Sequence, residues 1–528
     1  HGGRTRAFLI DRNNPDKLFA GGVAGGLWTS DNAGYNWKQV TGFDGYSTVA
    51  SICQTINGDI YVGTGEGMYD NFGMATGGLP GNGVYKSTDG GETFSHLSIT
   101  AATLNSASTT WSHVNRLAAD PNDENKVYAA TEKGVRVTTD GGSSWSLINM
   151  DVSSTSPAMD IDISNDGSLI VASVTSNAYL STDGGANFTK INGTGGFPNT
   201  SIGRMEFAIA PSDNNYIYAG IANGGGALSG IYQSKDGGQT WTVIGPGGSQ
   251  SFKPYSNSAQ SQGTYDNALG VALDDPEKIF VGGVGLYSWT PTDGWNKIAT
   301  LSDSDPTYYV HADMHYVQNH PTNPNLIYFM NDGGVFVTYD GGETFAQMTH
   351  GYRTMQMYSV AVSDSGNVVG GLQDNGTHYI DYSGPTNASS VELQGGDGGY
   401  VAISWTVPNA YYAATPNTMH RSSNYGSSFA TFWDKHIDDD DDGEPDNGAN
   451  FVTPFRLWES ATPKLDTMIE ATLPSNPNHN TNNVIYDTIV ETIDKPNMFF
   501  AGLNDGVWMT KESMNYTVIP EWYKVISH

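Results

Sequence analysis

Short apolar runs recur along this chain, each closed by a cluster of Asn, Asp, Pro or Gly. The segments IDRNNPDKLFAGG (10–22), AADPNDENKVYAAT (118–131), AIAPSDNNYIYAG (208–220), ALDDPEKIFVGG (272–283), NHPTNPNLIYFMN (319–331) and IDKPNMFFAG (493–502) share one plan. A strand leads into a polar turn, and a second strand ends in an aromatic residue, Ala and often Gly. A third short run such as GVYKS or GVFVT then enters a polar phrase of eight residues, STDGGETF at Ser87. Related phrases start at Ser30, Thr138, Ser181, Ser234, Thr338 and Ser422, at intervals of 57, 51, 43, 53, 104 and 84. The last two intervals are about double the rest, so each hides a unit whose phrase has decayed, one near 287–295 and one near 376–384.

The unit is therefore a four-stranded antiparallel meander of about 40–50 residues, the size of one β-propeller blade. The phrase is the hairpin between the third and fourth strands. Its Asp accepts turn N–H groups, its Gly adopts a backbone angle other residues resist, and its final aromatic packs beneath the turn. Asn32 and Asn424 replace the Asp in two copies, which a capping role tolerates and a catalytic role does not. The pattern predicts an all-β chain of about ten blades in one ring. The alternative is a seven-bladed ring followed by part of a second. Blades are expected over 1–432 and again over 486–528, around an irregular insertion at 433–485 that carries an acidic loop.

Composition agrees. The chain has 528 residues with 65 Gly, 29 Tyr and 12 Trp, as turn-rich β structure requires. No apolar run approaches the roughly 20 residues of a membrane helix. A formal charge of -31 argues against nucleic acid and for divalent cations. The single cysteine, Cys53 in TVASICQTI, excludes an intrachain disulfide and reads as a buried, inert thiol.

The eight-residue phrases are Asp-boxes, the repeat of bacterial neuraminidases. With the PNxxYAG preambles, GGLQDNGT (370–377) and GGDGGYVAI (395–403), the chain resembles sortilin-type and xyloglucanase-like Asp-box propellers. It is most similar to the large secreted or surface forms of Bacteroidetes, many exported by the type IX system. That resemblance implies a secreted or cell-surface location; the C-terminus carries no sorting-domain signature, which raises the expectation of a larger surface protein or assembly. It fixes no activity, since such propellers serve as hydrolases, receptors and adhesins. In the xyloglucanase pattern an acid precedes Gly-Gly at the entry of the first blade. Val23 stands there in GVAGGLW (22–28), and valine cannot transfer a proton. Asp374 and Asp397 could supply a carboxylate pair instead, or cap turns beside glycine. A sialidase needs three arginines around the substrate carboxylate; the nine arginines of this chain show no such arrangement.

Two segments suggest metals. Asp438, Asp440, Asp442, Glu444 and Asp446 alternate around Gly443, resembling calcium loops, in which hard oxygens at every second position wrap one ion. Ala449 stands where a bidentate Glu is usual, and the alternative is a solvated acidic loop. His311, Asp313 and His315 fall on one face if they lie in a strand. There they could hold a transition metal, or form a hydrogen-bonded network between blades. The sequence reading favours a calcium-stabilised scaffold for binding or adhesion to protein or glycan. Its alternative is a xyloglucanase-like glycoside hydrolase.

Overall fold

A computed structural model of the chain describes all residues except 1, 46, 69–77, 104–108, 250, 257–260, 381–389, 434–449, 461–496, 504–505 and 528. It contains ten four-stranded antiparallel sheets. Each follows the sequence unit: first strand, polar turn, second strand, third strand, phrase, fourth strand. Blade 1, for example, is Thr5–Ile10, Leu18–Gly22, Gly26–Ser30 and Lys38–Gln39. The decayed unit near 287–295 is a sheet whose third and fourth strands, Leu286–Thr290 and Gly294–Lys297, join by a short turn. Residues 376–394 supply the third and fourth strands of the eighth blade, Gly376–Ile380 and Ser390–Gln394.

The count of ten is as expected, but the grouping follows the second arrangement rather than one large ring. The chain forms two compact units, 1–355 with seven blades and 356–528 with three. The seven close on themselves, and four of them share one contact with the next blade. In blades 2, 3, 5 and 7 a tyrosine of the second strand is buried between blades and its hydroxyl reaches the following turn. Tyr61 donates to the Gly141 carbonyl (3.0 Å), Tyr128 to Gly184 (3.2 Å) and Tyr218 to Pro276 (2.7 Å). Tyr328 of blade 7 donates to Ala33 of blade 1 (3.3 Å) and so repeats the contact across the closure. Trp37 Nε1 to Met348 O (2.8 Å), Gly2 N to Gly333 O (2.8 Å) and Thr5 Oγ1 with the Tyr352 hydroxyl (2.9 Å) fasten the same seam.

In the second unit the tenth blade begins earlier than expected. Its first strand is Phe455–Glu459, paired with Asn497–Leu503. Residues 433–485 therefore include blade structure and are not wholly an insertion, because Phe455 and Leu457 bury against the blade core.

The phrase works as a built turn. Ser87 Oγ donates to Asp89 (2.7 Å) and accepts the Gly91 N–H (2.9 Å). Asp89 in turn accepts the N–H groups of Glu92 (3.1 Å) and Thr93 (3.0 Å) and the Thr93 hydroxyl (2.5 Å). Those hydrogen bonds, led by the Thr93 hydroxyl, hold the Asp89 carboxyl down at about 2. Gly91 has φ +88, and a Cβ there would lie 2.3 Å from Phe19 of the preceding blade. Thus the glycine serves both the turn and the approach between blades.

Candidate functional site

First strands line the centre of the seven-bladed ring, and they carry its buried charges. Arg4 Nη1 donates to Glu66 Oε2 (3.0 Å), and Arg6 Nε pairs with the other oxygen of Glu66. Arg204 pairs with Glu206 and donates to the Tyr265 carbonyl (2.6 Å). Arg116 spans three blades: Nε donates to Asp160 (3.0 Å) and Nη2 to Glu206 (2.7 Å), with its guanidinium 4.7 Å from the Tyr316 ring centre. Burial raises the pKa of Glu66, but Arg4 and Arg6 outweigh it and bring the net shift below the usual range. Asp160 is pushed up to about 7 by burial and then by Glu206, against the pull of Arg116. Asp162, half-buried, is pushed up to about 6 by desolvation. A cavity of about 10 Å³ lies among Arg6, Glu66, Asn115, Arg116, Arg204 and His315, room for one water at most. Among the described residues these paired charges form an ionic plug, and the cavity between them has no room for a sugar.

The proposed histidine face does not form. The strand of blade 7 begins at Met314 and its register shifts between Met314 and Tyr316. Asp313 takes a left-handed φ of +63. Alternation therefore stops short of His311 and Asp313, and the three residues do not share one strand face. His315 is fully buried, and its Nε2 lies 2.6 Å from Asp332 Oδ1. Burial and Arg6 bring its pKa down to about 4, so the ring is neutral and donates to an ionised Asp332. The Tyr265 hydroxyl donates to the other Asp332 oxygen (2.5 Å). Asp313 accepts from Gln262 (2.6 Å) and bonds Asp266, whose pKa is pushed well up by burial and by Asp313. His311 Nδ1 lies 3.1 Å from the Ala312 carbonyl. This is the hydrogen-bonded network that was the alternative reading of HADMH.

Asp374 and Asp397 come together in the second unit. Asp374 sits between the strands Val368–Leu372 and Gly376–Ile380 at φ +59. Its N–H donates to Asp397 Oδ1 (2.8 Å). Both side chains are partly exposed. Gly398 N–H donates to the Leu372 carbonyl (2.8 Å) and Gly376 N–H to the Gly396 carbonyl (2.6 Å). The two glycine-rich segments thus lace into one surface turn bearing two acids. A carboxylate pair is the minimal equipment for glycoside hydrolysis, one acting as acid and one as base or nucleophile. Val23, by contrast, is completely buried, with its N–H on the Arg4 carbonyl (2.9 Å). Asp438, Asp440, Asp442, Glu444 and Asp446 lie outside the described residues.

No family model matches the sequence. A curated xyloglucanase of a Paenibacillus species is 23% identical over 364 residues, covering 66% of this chain and 31% of that protein. The chain thus spans about a third of the length of the curated relative it matches. Among solved structures, the GH74 enzyme of Niastella koreensis aligns over 99% of this chain and 85% of its own, at 16% identity and a TM-score of 0.52. PorZ, a surface component of the type-IX secretion system of Porphyromonas gingivalis, aligns over 100% and 76%, at 11% identity and a TM-score of 0.50. These likenesses show the multi-blade propeller fold. Among the described residues no helix is long and apolar enough to cross a membrane.

Proposed function

We propose that this chain is an extracellular polysaccharide-active propeller of the xyloglucanase-like glycoside hydrolase type, with Asp374 and Asp397 as its acid pair. The observation that carries the reading is the capture of the Asp374 N–H by Asp397, which sets two acids on one laced, partly exposed turn. The curated xyloglucanase relative supports the same class of substrate. Asp397, whose oxygen already accepts an N–H, fits the ionised partner that serves as base or nucleophile. Asp374 fits the acid that protonates the leaving oxygen. The acidic run 438–446 is read as a calcium loop.

Reducing-sugar release from xyloglucan and other β-glucans tests this. Asp374→Asn and Asp397→Asn should each lower turnover by about 100-fold or more with the melting temperature little changed. Wild-type protein that releases no sugar from any of these polymers refutes the hydrolase.

One observation favours a second reading. Val23, where the xyloglucanase pattern places an acid, is buried and cannot transfer a proton. A scaffold that holds glycan or protein without cleaving it would show retention on polysaccharide and no release.

A further inference from the structure

Seven copies of the eight-residue phrase allow their exposed positions to be compared. At the second position six copies carry Asp, Thr, Lys or Ser, and the exception is Tyr339. At the sixth position six copies carry Glu, Ser, Ala or Gln, and the exception is Tyr35. The two exceptions lie about 300 residues apart in the chain, and ring closure makes their blades neighbours. Tyr35 is 61% exposed and Tyr339 is 49% exposed, and their hydroxyls lie close enough to influence each other. Both stand on turns fixed from below. Ser30 Oγ accepts the Gly34 N–H (3.0 Å), Thr338 Oγ1 accepts the Gly342 N–H (2.9 Å), and the Ala33 N–H is held by the Asp16 carbonyl (2.8 Å). Tyr328 reaches Ala33 underneath. The exposed Asp16 carboxylate lies within electrostatic range of the Tyr328 hydroxyl, as do both tyrosines.

Blade packing does not require these rings, because the aromatics that fill the blades, such as Trp37 and Phe345, are buried or half-buried at the end of each phrase. Two exposed tyrosines on rigid turns offer apolar ring faces with little side-chain entropy to lose. Hydroxyls and a carboxylate beside them can bond sugar hydroxyls, while the C–H face of a flat pyranose lies on the rings.

We propose that Tyr35 and Tyr339 form a glycan-binding platform on the seven-bladed ring, built for the flat pyranose units of a β-linked glucan and made of residues other than the Asp374–Asp397 turn. It rests on the polysaccharide reading above and adds to it a place where polymer is held without being cleaved.

Affinity electrophoresis of the full chain through gels containing soluble xyloglucan tests it. The Tyr35→Ala/Tyr339→Ala pair should bind about tenfold more weakly, since each stacked ring is worth about 0.5–1.5 kcal/mol. The Tyr35→Phe/Tyr339→Phe pair should keep most of the retention. Asp374→Asn should bind as wild type does, and the alanine pair should cleave a short chromogenic oligosaccharide at the wild-type rate. An unchanged melting temperature controls for folding. An alanine pair retained as strongly as wild type overturns the platform and leaves the hydrolase standing; a protein-docking role for the two tyrosines would give that result. Wild type with no retention on any β-glucan also overturns the platform, and sugar release then decides the hydrolase separately.

Discussion

Arg116→Met is the most informative perturbation of the ring centre. It removes the one cation that joins Asp160 of blade 4 to Glu206 of blade 5, while keeping an unbranched side chain against Tyr316. Breaking a buried pair by deleting one partner costs about 3–5 kcal/mol, because it strands an uncompensated charge. The ring has 355 residues; at about 2.1 cal/mol/K per residue its unfolding entropy is about 0.75 kcal/mol/K, so the loss in melting temperature is about 4–7 °C. The penalty depends on pH. Asp160 already titrates at about 7, raised by burial and by Glu206, against about 3.9 unfolded. Between those values the native state binds more protons, so this group's contribution to stability falls as pH rises. Without Arg116 its pKa rises further, and the variant sheds its buried charge by taking a proton. The deficit relative to wild type should be full at pH 8 and shrink to about 1–2 °C at pH 5. His315, lowered to about 4, contributes the opposite slope between pH 4 and 6.5, but it does so in both proteins and cancels in the difference. Differential scanning fluorimetry of both proteins across pH 5–8 is the assay. An equal deficit at both ends would refute the stranded-charge argument.

Ser87→Ala removes a buried hydroxyl that accepts the Gly91 N–H; it should cost about 1–2 kcal/mol, read as a lower denaturation midpoint. Asp89→Asn should cost less, because native Asn32 and Asn424 make the same turn bonds, Asn32 Oδ1 with the Asn36 N–H (2.9 Å) and Asn424 Oδ1 with the Ser428 N–H (3.0 Å). The carboxyls of Asp89, Asp140, Asp183 and Asp340, all held at about 2, contribute stability that is lost as pH falls below about 4; an acid titration of the melting temperature should steepen there. If the run 438–446 binds calcium, a chelator should lower the melting temperature and added Ca²⁺ should restore it; calorimetry with no calcium heat removes that reading.

The blades were legible because most repeat two local signals, a polar turn between apolar strands and a phrase whose Ser or Thr and Asp side chains bond within five residues. Their grouping was not. Tyr328 looks like Tyr61, Tyr128 and Tyr218, and nothing local marks its turn as the one 295 residues back in the chain. The ionic plug was missed although it left a trace. Four of nine arginines, Arg4, Arg6, Arg116 and Arg204, lie in or beside the first strands of blades 1, 3 and 5, where the other positions are mostly apolar or small. An arginine repeated at the innermost strand of alternate blades is a signal for a charged axis. The reading of HADMH failed on backbone grounds. It assumed a regular strand, and the left-handed Asp313 with the register shift beside it breaks the period on which any one-face argument depends. Asp332, the partner His315 does take, sits in a turn whose sequence, NDGG, reads only as a turn.

The acids of this chain divide by what they hold. Those in the recurrent turns spend both oxygens on N–H groups and hydroxyls within the turn, and the arrangement fixes them ionised. In the channel, Glu66, Asp160 and Glu206 are locked against guanidiniums and closed off from any polymer. A general acid must exchange its proton with substrate, so neither class can serve. Asp397 differs from both: it accepts the backbone N–H of a second acid, on a turn that solvent reaches. Asp374 holds a left-handed conformation, which costs about 1–3 kcal/mol for a residue with a Cβ. Asp374→Gly should therefore leave the fold as stable as before or more so while abolishing any sugar release, and a loss of stability instead would show that the acid is there for the turn.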